Sequence, residues 1–135
     1  VSTPAETVDT PYGRFARATS GLFVAGGDPE LAVSTQSAGR VPELAARLAA
    51  FARAPRAWTR RATDAVVRAF SEGEPSASDL DEAAADLRLE TVEVRDDGAV
   101  VLHLEDGCGE HFMQGYWPAV RFDDDGDVVE VTVEA

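Results

Sequence analysis

The sequence contains no lysine, no asparagine and no isoleucine, and only one cysteine and one methionine. A single thiol, Cys108, excludes an internal disulfide, which suits a reducing compartment, so the expected location is the cytoplasm. Long apolar runs are also missing. No stretch approaches the roughly 20 consecutive apolar residues that a membrane-spanning helix needs. Residues 1–6 have neither a basic start nor an apolar run, so no secretory signal is expected there. The three absent residue types are those with AT-rich codons, which points to a GC-rich genome, with salt adaptation as the rival explanation. All basic charge is therefore arginine by default, and an arginine cluster here says less about phosphate recognition than it would where lysine was available.

The 135 residues carry 12 Arg against 25 Asp and Glu, a net charge of −13. The length suits a single domain, residues 1–135, and a chain that is 44% hydrophobic and 27% charged is neither disordered nor membranous in type. Acidity of this strength argues against nucleic acid and anionic lipid as partners, since both are polyanions. The charge is unevenly spread. Residues 1–70 hold nine Arg and six acids, a net of +3, whereas residues 71–135 hold three Arg and nineteen acids, a net of −16.

Residues 1–11 are polar and aperiodic and are expected to form a loose N-terminal arm. Short strands are expected over 12–18, 22–25 and 31–36, separated by Gly- and Pro-rich turns. Pro42 and Glu43 suit a helix start, and Leu44, Leu48 and Phe51 share one helical face up to the break at Ala54-Pro55. A second stripe, with Trp58, Ala62, Val66 and Phe70, follows from Arg56. Ser78 with Asp81 suggests a capped third helix, with Leu80, Ala84 and Leu87 facing inward. The remainder alternates as strands over 88–95, 99–105, 110–122 and 128–134, with Asp97-Gly98, Asp106-Gly107 and Asp125-Gly126 between them as hairpin turns. Val129, Val131 and Val133 are expected on a buried face, and Pro118 marks a broken, bulged or edge position. The pattern describes an α+β fold: a mainly antiparallel sheet with a C-terminal four-strand meander, covered on one face by two or three helices.

Four groups of residues invite a chemical reading. The run Asp123 to Asp127 looks like a calcium loop, but counted from Asp123 the EF-hand glycine position falls on Val128 and the twelfth position, Glu134, lies deep in an expected strand, so a solvated turn accounts for it. His103, Cys108 and His111, with Asp106 and Glu110, offer zinc-type donors, and Cys108 with His111 offers a nucleophile. The acidic surroundings oppose a thiolate, so ordinary turn and strand roles are the simpler account. Arg47, Arg53, Arg56, Arg60, Arg61 and Arg68 form the polar side of amphipathic helices. Tyr116 and Trp117 flank irregular backbone of the kind that lines a core, a pocket or an interface.

From Pro42 to Ala135 the order of motifs is distinctive: a helix, the strand from Leu87 to Val94, Asp97-Gly98, a strand, Glu105-Asp106-Gly107, a Gly-centred aromatic strand, Asp125-Gly126 and a closing strand. This order resembles a bacterial domain of unknown function, number 2262, whose opening strand Tyr12 to Phe15 also matches. Tyr116 stands where that family has histidine after an aromatic-Gly step. The resemblance implies a stand-alone α+β domain and transfers no catalytic residue or cofactor. The expected function is a non-catalytic protein-interaction module, of immunity or regulatory type, whose acidic face meets a basic protein surface. The expected contact residues are Asp97, Asp106, Asp124, Asp125, Asp127, Glu130, Tyr116 and Trp117. The alternatives are a small enzyme using His111 with Cys108 or nearby carboxylates, and a metal-binding domain. No cofactor, membrane or nucleic acid is expected.

Overall fold

The computed structural model describes residues 6–135. Eight strands form one sheet in sequential order: β1 Thr7–Thr10, β2 Gly13–Arg17, β3 Phe23–Ala25, β4 Glu30–Ser34, β5 Leu87–Arg95, β6 Val100–Asp106, β7 Trp117–Phe122 and β8 Val128–Glu134. All neighbouring pairs are antiparallel except β4 and β5. A parallel pair cannot be closed by a tight turn and needs a crossover. The helical segment supplies it, as α1 Val41–Ala45, α2 Leu48–Arg53, α3 Pro55–Phe70 and α4 Ala77–Asp86. Among the described residues no helix is long and apolar enough to cross a membrane.

The α+β class and the C-terminal meander are as the sequence pattern implies, and several local readings are corrected. Residues 7–10, placed in a loose arm, form a strand paired to β2, with Val8 opposite Phe15 and packed on the core. Residues 1–5 of that arm lie outside the described residues. The first helix is split at Ala46-Arg47, where the Arg47 amide bonds the Leu44 carbonyl in a tighter i→i−3 turn. The cap of α4 is Ser76 with Asp79, not Ser78 with Asp81; Asp81 instead pairs with Arg60 of α3 at 2.8 Å. The two Ser-x-x-Asp patterns lie two residues apart, and the helix–helix ion pair takes up the second aspartate.

The third meander strand begins only at Trp117, because residues 107–116 form a loop gathered by Asp106, whose carboxylate accepts the amides of His111 and Phe112. Asp106-Gly107 is therefore not a hairpin turn. Pro118 sits beyond the last β6–β7 pair, His103 with Ala119, so its missing amide breaks no bond on that side. In β8 a register shift leaves Val129 as an extra residue, so Val128 and Val131 turn to the core and Val129 is 47% exposed; Val133, on the same face as Val131 but near the strand end, is 44% exposed.

One face of the sheet packs under the helices through Phe15, Phe23, Val33, Val92, Leu102 and Phe122, all fully buried. Trp58 of α3 joins the layers, 4.6 Å from the ring of Phe122 and edge-on to Phe51 of α2. Among the described residues the opposite face carries no helix. Ala32, Val101 and Ala119 point there and are nevertheless buried without belonging to the main core cluster, so longer side chains on that face shield them.

Candidate functional sites

The uncovered face holds a recess of about 260 Å³ lined by Leu22, Glu30, Ala32, Glu90, Thr91, Glu93, His103 and Trp117. Its polar floor follows from strand register. Thr91 pairs with His103 and His103 with Ala119, so Glu93 and Trp117 are diagonal neighbours of the histidine on its two sides. Long side chains reach across such diagonals. Trp117 Nε1 donates to His103 Nδ1 at 3.0 Å, and His103 Nε2 lies 2.8 Å from Glu93 Oε1. Indole is a donor only, so Nδ1 accepts, the ring proton sits on Nε2, and Nε2 donates to the carboxylate. This bond holds Glu93 below the usual glutamate range against its burial, with Arg95 adding to the effect. The histidine and glutamate side chains are 17% and 13% exposed.

Glu30 and Glu90 extend over the same recess, and among the described residues neither forms an ion pair. The recess thus combines an indole ring with three carboxylates. A larger groove of about 890 Å³ adjoins it at Leu22, but its arginines are occupied: Arg17 bonds Glu6 and the Gln36 carbonyl, and Arg40 bonds Glu43 and Asp96.

A second constellation lies where α4 ends. His111 Nε2 is 3.0 Å from Asp86 Oδ2, and the Cys108 thiol donates to Asp106 Oδ1 at 3.3 Å. The hydrogen bond that the His111 ring donates to Asp86 raises the His111 pKa, outweighing desolvation, with Asp106 and Glu82 helping through space. At Cys108 the Glu110 amide favours the thiolate, but desolvation and the carboxylates of Asp106 and Asp86 together push the thiol up. At Asp106, desolvation is outweighed by the amides of Phe112 and His111, which hold its carboxyl down. An apolar pocket of about 430 Å³ between α3 and α4, with Phe70, Phe112, Ala83 and Leu87 in its wall, opens beside His111.

The structure does not gather the sequence-derived contact residues on one face. Asp97, Asp124, Asp125 and Asp127 lie in the β5–β6 and β7–β8 turns at one end of the sheet, and Asp106, Tyr116 and Trp117 lie at the other. Glu130 sits on the uncovered face beside Arg121. Trp117 alone of these eight lines the recess. His103 is separated from Cys108 and His111, and Asp86 takes its place beside them. Glu30, Glu90 and Glu93 gave no motif. Glu90 and Glu93 fall within an expected strand and Glu30 just before one, and Glu30 reaches the recess through the parallel β4–β5 pair that no local pattern encodes.

The turn-end acids are also met by helix arginines. Arg47 pairs with Asp124 at 2.9 Å and lies against Gly98, whose φ of +88° suits the tight turn; a Cβ there would come within 3.2 Å of the guanidinium. Arg61 donates to the Gly126 carbonyl at 2.7 Å. No protein-family model, curated protein or solved structure matches this chain.

Proposed function

We propose that this protein is a non-catalytic interaction module that binds a basic segment of another protein on the uncovered sheet face, one cationic side chain entering the recess. The observation that carries this reading is the recess itself: the Trp117 ring beside Glu30, Glu90 and Glu93, with the first two glutamates free of any ion pair among the described residues. A cation over an indole and between carboxylates gains both Coulomb and cation–π attraction. The net charge of −13 steers basic partners toward the molecule and makes the association salt-sensitive. The resemblance to the bacterial domain of unknown function number 2262 accommodates the reading, because it brings no catalytic residue with it. An immunity or regulatory role in a bacterial cytoplasm belongs to the same proposal. An enzyme built on Cys108 and His111 is less well supported, since the surrounding carboxylates oppose the thiolate it would need.

The test is a titration with an arginine-rich peptide, followed through the Trp117 indole N–H resonance at low and high salt. The expected result is a saturable shift of that resonance, weakened by salt and by the pair Glu30→Gln and Glu90→Gln. An indole signal that does not move at low salt, or that moves equally in the double variant, overturns the reading.

A further inference from the structure

We infer that Asp86, Cys108 and His111 form a binding site for a divalent cation of the zinc class, with one coordination position left to solvent. Asp86 closes α4, and the other two residues lie in the loop after β6, so sequence spacing suggests Cys108 with His111 but gives no hint of Asp86. A Cys Sγ, a ring nitrogen of His111 and a carboxylate oxygen of Asp86 all lie within 4.8 Å of one another. Zinc ligands sit about 2.0–2.3 Å from the ion, so tetrahedral donors are mutually about 3.3–3.8 Å apart, and small side-chain rotations close the set.

The loop is built to hold these donors together. The Gly107 amide bonds the Asp86 carbonyl at 2.9 Å, and a Cβ on Gly107 would lie 3.2 Å from that oxygen, so glycine permits the close approach. Asp106 then orients the loop by accepting the His111 and Phe112 amides on one oxygen, while its other oxygen holds the Cys108 thiol only until that proton leaves on metal binding. Outer hydrogen bonds of this kind commonly fix ligand geometry in metal sites.

The donor set selects the ion. Thiolate and imidazole favour zinc-like cations over calcium or magnesium, which prefer all-oxygen cages. Thiolate and carboxylate together neutralise a double positive charge, and binding releases the thiol proton to solvent. The carboxylate trio of Asp123, Asp125 and Asp127 is different in kind. One Asp123 oxygen is already occupied by the Asp125 and Asp127 amides, which is what a turn requires.

The experiment uses the whole chain, reduced and freed of metal with chelator, titrated with Co²⁺ and then with Zn²⁺. One equivalent of Co²⁺ is expected to give thiolate charge-transfer absorption and tetrahedral visible bands, both bleached by Zn²⁺. Cys108→Ser should abolish the charge-transfer band, and Asp86→Asn and His111→Gln should each weaken binding by about tenfold or more. Asp125→Asn should leave binding unchanged. Far-UV circular dichroism confirms that each variant is folded. Absence of a thiolate band in the wild-type protein overturns the inference, as does binding that survives all three ligand substitutions or is lost in Asp125→Asn.

Discussion

At the scale of single residues, Glu93 carries the most informative charge in the molecule. It lies on an otherwise uncovered sheet face yet is mostly buried, and it accepts a hydrogen bond from His103, whose ring is held by Trp117. Its folded pKa lies below the ordinary glutamate value of 4.5, so its contribution to stability is complete above that value and is lost as pH falls through the depressed one. We therefore expect Glu93→Gln to destabilise the protein at pH 7 by about 1 kcal/mol, with a smaller difference from wild type at pH 3. Urea melts at the two pH values measure this, and an equal difference at both would contradict it. The outward position of His103 was legible from its alternation with Leu102 and Leu104, and Glu93 fell within an expected strand. Their meeting was not legible, because a diagonal contact depends on register, and register is set by partners distant in sequence.

At the scale of elements, the sequence contains two capping patterns for α4, Ser76 with Asp79 and Ser78 with Asp81. In the structure the first is a full capping box, with Ser76 Oγ accepting the Asp79 amide and Asp79 accepting the Ser76 amide. Ser76→Ala is expected to cost about 1 kcal/mol and Ser78→Ala close to nothing, read from thermal or denaturant unfolding. Equal effects would mean that the helix starts elsewhere. The long helix α3 was legible from Pro55 at its first turn and the stripe of Trp58, Ala62 and Val66, although Phe70, placed in the same stripe, is 58% exposed at the helix end. Less legible were the split between α1 and α2 and the loop of residues 107–116. No Gly or Pro marks the first between Glu43 and Arg53, and Asp106 imposes the second through bonds to amides five and six residues away.

At the scale of the whole molecule, the two oppositely charged halves of the chain fold against each other. Arg40 meets Asp96, Arg47 meets Asp124 and Arg61 meets the Gly126 carbonyl, so arginines of the segment carrying α1 to α3 close over the turns of the acidic sheet. These ion pairs are exposed and individually weak. The apolar joint beneath them is stronger: Trp58 packs between Phe51 and Phe122 and binds the helical layer to the sheet. Trp58→Ala is expected to cost about 3–5 kcal/mol and Arg47→Ala less than about 1 kcal/mol, in chemical unfolding of the intact chain. A reversed order would place the main cohesion in charge and not in packing.

The sequence by itself determined the fold class, the long helix and most of the C-terminal strands, because hydrophobic period and turn chemistry are local properties. It also showed that one half is mildly basic and the other strongly acidic. Tertiary structure decided where those charges stand. Parallel pairing of β4 with β5 brought Glu30 to Glu90 and Glu93, and the end of α4 brought Asp86 to Cys108 and His111. Both meetings join residues from separate elements. Only the packing of those elements, driven by a core shared across the whole chain, sets the distances between them.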